Sequence, residues 1–145
     1  AHMLHRIDRF VLRISKQRIS ATGLLTGLPV VTLIVKGAKS GELRMTPLLG
    51  IPAEDKVVLI ASNFGSSRHP AWYYNLIANP QAQLSIGGQI NTYIAREAQG
   101  EERERLWLMA VNHYRGYVAY EQRAGGRHIP VMVLTPNDNQ GKSSV

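Results

Sequence analysis

Val30–Ile51 reads VVTLIVKGAKSGELRMTPLLGI. Val30–Lys36 is rich in β-branched residues, and Leu43–Ile51 resumes an extended pattern after the turn-forming run Gly37-Ala-Lys-Ser-Gly-Glu42. Two strands joined by a hairpin-like loop are expected. Ala53-Glu-Asp-Lys56 reads as the next turn, and Val57–Ser62 as a third, almost wholly apolar strand.

Further along, Asn63–His69 is a polar loop, and Pro70 suits the first position of a helix running through Trp72-Tyr73-Tyr74-Asn75-Leu76 until Asn79-Pro80 stops it. Gln83–Ile86 and Gln89–Arg96 flank Gly87-Gly88, a strong two-residue hairpin signal. Glu101–Asn112 is a helix with acidic residues in its first turn, where the helix dipole favours them. Ile129–Leu134 is the last strand. Upstream, apolar Leu4, Ile7, Phe10, Val11 and Ile14 fall at helical spacing among Arg6, Arg9, Arg13, Lys16 and Arg18, which predicts a basic amphipathic helix over residues 4–20. Its cationic face is either solvated or in contact with an anionic membrane surface. Ala1-His-Met3 resembles a cloning scar, and residues 137–145 are expected to be a flexible tail. The order α-βββ-α-ββ-α-β, with short connections, implies a mainly β domain over residues 21–136: a mostly antiparallel sheet closed into a barrel, with flanking helices.

The 145 residues suffice for one domain with a real core, and 44% hydrophobic with 19% charged residues is a globular composition. Without cysteine there are no disulfides, thiolate metal sites or cysteine nucleophile, which fits a reducing cytoplasm. No stretch approaches the roughly 20 apolar residues that span a bilayer, and the charged amino end does not read as a signal peptide. The net charge of +7 favours an anionic partner: nucleic acid, anionic lipid, or a phosphorylated or carboxylated small molecule. Few aromatics are interleaved with the basic residues, which argues against a stacking platform for nucleic acid.

No glycine-rich dinucleotide fingerprint or nucleophile elbow is present, Gly37–Gly41 lacks the spacing of a phosphate-binding P-loop, and the histidines lack metal-ligand spacing. Two loops of donors remain. Lys39, Ser40 and Arg44 could converge on one anion or form a solvated turn. Gly65, Ser66, Ser67 and Arg68, ahead of a helix opened by Pro70, form either a phosphate seat or a simple capping loop. Tyr114, Tyr117 and Tyr120 recur every three residues and, if helical, lie near one face, as a pocket wall or as packing. Trp72, Tyr73 and Trp107 read as core residues.

Gly37-Ala-Lys-Ser-Gly-Glu-Leu-Arg44 with Thr46-Pro47-Leu48, Ala61-Ser-Asn63, His69-Pro-Ala-Trp-Tyr73 with Asn75-Leu76 and Asn79-Pro80, and Ile129-Pro-Val131 occur in order between Gly23 and Pro136. Together they resemble the deazaflavin-dependent nitroreductase family of actinobacteria, which uses coenzyme F420, an 8-hydroxy-5-deazaflavin. The resemblance implies a split β-barrel like that of proteins binding flavin mononucleotide (FMN). It implies that Lys39, Ser40 and Arg44 contact the coenzyme's anionic side chain and that Pro47 lies beside the deazaflavin. Ala61, Ser62 and Asn63 would line the ring, and Ser66, Ser67 and Arg68 would hold the phosphate, with Gly65, Trp72 and Tyr73 completing the cofactor set. Tyr114, Tyr117 and Tyr120 would border the acceptor pocket as the catalytic candidates, with Tyr73 a further candidate for that surface.

Two residues depart from the family pattern: Phe64 stands where many relatives carry glycine, and Tyr74 where many carry histidine. The implied activity is hydride transfer from reduced coenzyme to a small-molecule acceptor such as a quinone or nitroaromatic. An FMN-binding reductase of the same barrel and a non-catalytic carrier of fatty acid or another anionic amphiphile are the alternatives. The hydride chemistry of such a site belongs to its cofactor, which accounts for the missing catalytic apparatus.

Overall fold

Strand β1 (Val30–Lys36) pairs antiparallel with β2 (Leu43–Leu49), Val30 opposite Leu49 and Lys36 opposite Leu43, so the opening hairpin forms as expected. The structure, a computed structural model, describes residues 29–137. The expected amino-terminal helix with its membrane contact, the scar and residues 138–145 of the tail lie outside the described residues. After β2 come β3 (Ile51–Ala53), β4 (Lys56–Ile60), α1 (Ala71–Ala78), β5 (Gln81–Ile86), β6 (Gln89–Glu97), α2 (Gly100–His113), α3 (Gly116–Arg123) and β7 (Val131–Pro136).

All pairings are antiparallel, in the order β2-β1-β5-β6-β7-β4-β3. The two edge strands, β2 and β3, are separated by the single residue Gly50. One extended segment can serve both edges only if the sheet curls round on itself, so Gly50 is the corner that closes the barrel. The expected single strand Leu43–Ile51 therefore breaks there. The Gly50 N–H donates to the Pro29 carbonyl at 2.9 Å. A Cβ at Gly50 would lie 2.8 Å from Val31 Cγ1 and 3.2 Å from Val57 Cγ1. Gly50→Ala is expected to cost about 1–3 kcal/mol by overpacking, read as a lowered Tm; an unchanged Tm would show that the corner has slack.

The buried side chains of β4 and β7 point alternately to two faces of the sheet. Val57, Leu59, Met132 and Leu134 join Val31, Leu33, Leu84 and Tyr93 inside the barrel, with Trp72 and Leu76 of α1 packed against them. Val58, Ile60, Val131 and Val133 face the other way, under Leu106, Trp107, Ala110 and Tyr117 of α2 and α3. Both strands are thus covered on two faces, which is why each reads as a continuous apolar run.

Several boundaries move for local reasons. The last strand begins at Val131 rather than Ile129, because Pro130 has no N–H for a ladder and the Ile129 carbonyl accepts from Arg103 Nη2 at 2.7 Å. It runs on to Pro136, where β7 pairs with β6 alone and a missing donor is tolerated. Pro70 precedes α1 with extended ψ of 151° instead of opening it. Gly87 and Gly88 form the expected tight hairpin with φ of 58° and 85°, a conformation suited to glycine.

Strand polarity positions the site. β1, β4 and β6 run in the same direction, so their carboxyl ends, and with them the loop after Lys36, the loop after Ile60 and Glu97, emerge at one end of the sheet. The α2–α3 connection between β6 and β7 begins and returns at that end.

Candidate active site

The first loop is tied to α1. Asn75 Oδ1 accepts the Ala38 N–H at 2.9 Å, and Asn79 Nδ2 donates to the Lys36 carbonyl at 3.3 Å. Ser40 Oγ accepts from the Glu42 N–H (3.1 Å) and Arg44 Nη2 (3.4 Å), so Ser40 and Arg44 do converge. Lys39 and Ser40 are exposed, and Arg44 faces Glu42 only at 4.0 Å in an exposed pair of little energetic weight. Both cations can therefore turn to a ligand cheaply. Pro47 is buried on β2 opposite Thr32. An open groove of about 450 Å³ flanks this loop beside Lys36 and Leu43, and its walls include none of Tyr114, Tyr117 or Tyr120.

The second loop leaves β4 through Ala61 and Ser62, both buried, into a tight turn with three consecutive positive φ angles: Asn63 48°, Phe64 55° and Gly65 82°. Asparagine and glycine enter this region readily, phenylalanine does not. The Phe64 ring packs edge-on against Tyr120, centroids 5.9 Å apart, and that contact offsets part of the strain. Glycine at this position would meet no such penalty, which gives the Phe64 departure a physical meaning. Asn63 Nδ2 donates to the Arg68 carbonyl at 3.0 Å and the Arg68 N–H to Ser66 Oγ at 3.2 Å; Ser67 and Arg68 are exposed.

Behind this turn lies Arg127, which sequence reasoning missed. Its Nε donates to the Ser66 carbonyl (2.9 Å), Nη1 to the Ala61 carbonyl (3.1 Å) and to His69 Nδ1 (2.7 Å), and Nη2 to the Ser62 carbonyl (2.6 Å). Among the described residues no carboxylate lies within ion-pair distance of it. Burial lowers its pKa, and partial burial together with the Arg127 charge lowers that of His69 against the opposing pull of Glu97. His69 packs against Tyr73, ring centroids 4.9 Å apart, and Tyr74 at 5.8 Å. Tyr73 donates to Glu97 Oε1 at 2.6 Å; burial first, and that bond second, push its pKa up to about 12. Trp72 is a core residue.

The three tyrosines do not share one helix. Tyr114 lies in the extended link before α3, its ring over Gly116 where any Cβ would collide. Its hydroxyl and that of Tyr120 share a hydrogen bond of 2.9 Å. Tyr117 is 4% exposed, packed against Trp107, and its burial raises its pKa. Gly65 brings the tyrosines to the second loop: a Cβ there would lie 3.0 Å from Tyr120 Cα and 2.9 Å from Arg123 Cβ.

Residues 6–136 match the family model described as F420H(2)-dependent quinone reductase. The chain belongs to that family. The F420H(2)-dependent quinone reductase Rv1261c of Mycobacterium tuberculosis is 34% identical over 110 residues, covering 74% of this chain and 73% of the relative. A solved F420-H2 dependent reductase, FDR-A, superposes with a TM-score of 0.67 at 38% identity, over 73% of this chain and 93% of that one. HutZ, the heme storage protein of Vibrio cholerae, superposes at 0.55 with 11% identity and shows the fold alone: a split barrel of the FMN-binding type.

Membership makes this F420H(2)-dependent quinone reductase family chain an oxidoreductase with coenzyme F420 as its cofactor, and the FMN alternative is not needed. The donor set fits such a ligand. A phosphate and an oligoglutamate chain call for cations and N–H or O–H donors, and Lys39, Arg44, Ser66, Ser67, Arg68 and the charge of Arg127 all lie on the two loops or behind them. Among the described residues no helix is long and apolar enough to cross a membrane.

Proposed function

We propose that this family member reduces a quinone at the Tyr114–Tyr120 pair, with the coenzyme held by the two cationic loops; reduction of nitroaromatics would be incidental. The observation that carries the reading is the shared hydroxyl hydrogen bond, set against the loop that lines the proposed coenzyme seat. Lys39, Ser40 and Arg44 bind the acidic tail, Ser66, Ser67 and Arg68 the phosphate, and Pro47, Ala61, Ser62, Asn63 and Gly65 the ring, with Trp72 supporting from the core and Tyr73 from its bond to Glu97. When bound, the reduced deazaflavin is a hydride source, and conversion of a quinone to a hydroquinone then needs one further proton. Each of the paired hydroxyls can donate while the other accepts, so Tyr114 and Tyr120 can orient a quinone oxygen and deliver that proton. Tyr117, buried beside Trp107, holds the pair in place.

Tyr114→Phe and Tyr120→Phe are each expected to slow quinone reduction by roughly 10²-fold, with coenzyme affinity unchanged by fluorescence titration. Tyr117→Phe is expected to lower Tm and keep turnover per folded molecule. Equal slowing in all three variants would refute a role specific to the pair.

A further inference from the structure

Arg127 stands about sixty residues from the groups it binds and reaches them because β7 pairs with β4, the Ala61 N–H donating to the Pro130 carbonyl at 2.9 Å. Its bonds fall at both ends of the turn: the carbonyls of Ala61 and Ser62 on entry and that of Ser66 on exit. One rigid guanidinium thus sets the separation of the two ends and places positive charge directly behind the donors of the loop. A lysine ammonium has no planar fork with which to match these carbonyls.

The fourth contact carries more information. A guanidinium has donors only, so His69 Nδ1, 2.7 Å from Arg127 Nη1, must accept. The imidazole is then neutral with its proton on Nε2. We propose that Arg127 is the positioning residue of the coenzyme site: it closes the Ala61–Ser66 turn from behind and holds His69 as the neutral Nε2–H tautomer, a donor beside Tyr73 and Tyr74. The turn and tautomer follow from the protein alone; their importance for the coenzyme rests on the function proposed above.

Long-range ¹H–¹⁵N correlation spectra of the coenzyme-free protein test the first part. The parent is expected to show His69 protonated at Nε2 at neutral pH, whereas Arg127→Met and Arg127→Lys are expected to show mixed tautomers. Titration with oxidised F420 tests the second: both variants are expected to bind at least about tenfold more weakly, the loss expected when the displaced loop no longer makes one of its charge-assisted bonds to the coenzyme. Millimolar methylguanidinium is expected to restore part of the affinity of Arg127→Ala. A role confined to stability would lower Tm in these variants while leaving the His69 tautomer and the affinity of the folded fraction at parent values, and would overturn the proposal. A parent His69 protonated at Nδ1 would overturn it as well. If the tautomer behaves as stated but the parent does not bind F420, the clamp stands and the coenzyme reading fails.

Discussion

Replacing Gly65 by alanine is expected to destabilise the protein by about 2–4 kcal/mol and to weaken coenzyme binding together with it. Two costs combine. The residue sits at φ +82°, where an L side chain adds roughly 1–2 kcal/mol of strain. The new Cβ would also press on the backbone of α3, 3.0 Å from both Tyr120 Cα and the Tyr120 carbonyl oxygen. Neither contact is the free end of a flexible side chain, so relief requires the turn and α3 to separate. That movement would carry Phe64 off Tyr120 and the serines out of register. At about 3–5 °C per kcal/mol for a chain of this size, thermal unfolding reads the first effect and coenzyme titration the second. An unchanged Tm would mean that the loop and α3 are not held together as described.

Neutralising the cations is the other large effect. Lys39→Met, Arg44→Met and Arg68→Met are each expected to weaken coenzyme binding by on the order of 1.5–3 kcal/mol, tenfold to hundredfold, if the bound ligand desolvates the contact. All three side chains are exposed in the free protein, and Arg44 makes just a long ion pair to Glu42 and a 3.4 Å hydrogen bond to Ser40 Oγ, so the substitutions are expected to leave Tm nearly unchanged. Arg105→Gln, on the exposed face of α2, is the control and is expected to cost less than about twofold. Raised ionic strength is expected to weaken parent binding and to affect the Arg68 variant less, because one screened attraction is already gone. Affinities and salt dependence matching the parent in all three variants would make the two loops ordinary turns.

Where local chemistry decides structure, the sequence was a good guide. The β-branched run at Val30, the Gly87-Gly88 turn and the acidic start of α2 each carry their own signal within a few residues. What escaped depends on pairing across the chain. Gly50 looks like any strand glycine until the order of the strands makes it the barrel corner. The three tyrosines share a spacing, yet the chain turns between Tyr114 and Gly116 and leaves Tyr117 in the core. Arg127 has no local signature either, since its partners are reached only through the β4–β7 register. The available hint was its place just before Ile129-Pro-Val131, the segment that enters the strand beside the Ala61 loop. His69 was in view as part of the second loop, but its role depends on Arg127.

The coenzyme assignment is tested most directly by titrating the purified protein with oxidised F420 and, in parallel, with flavin mononucleotide, following fluorescence. Saturable binding of F420 that is tighter than that of the flavin, and that weakens as salt is raised, is the expected result. Tighter binding of flavin mononucleotide, or no saturable binding of F420, would contradict it.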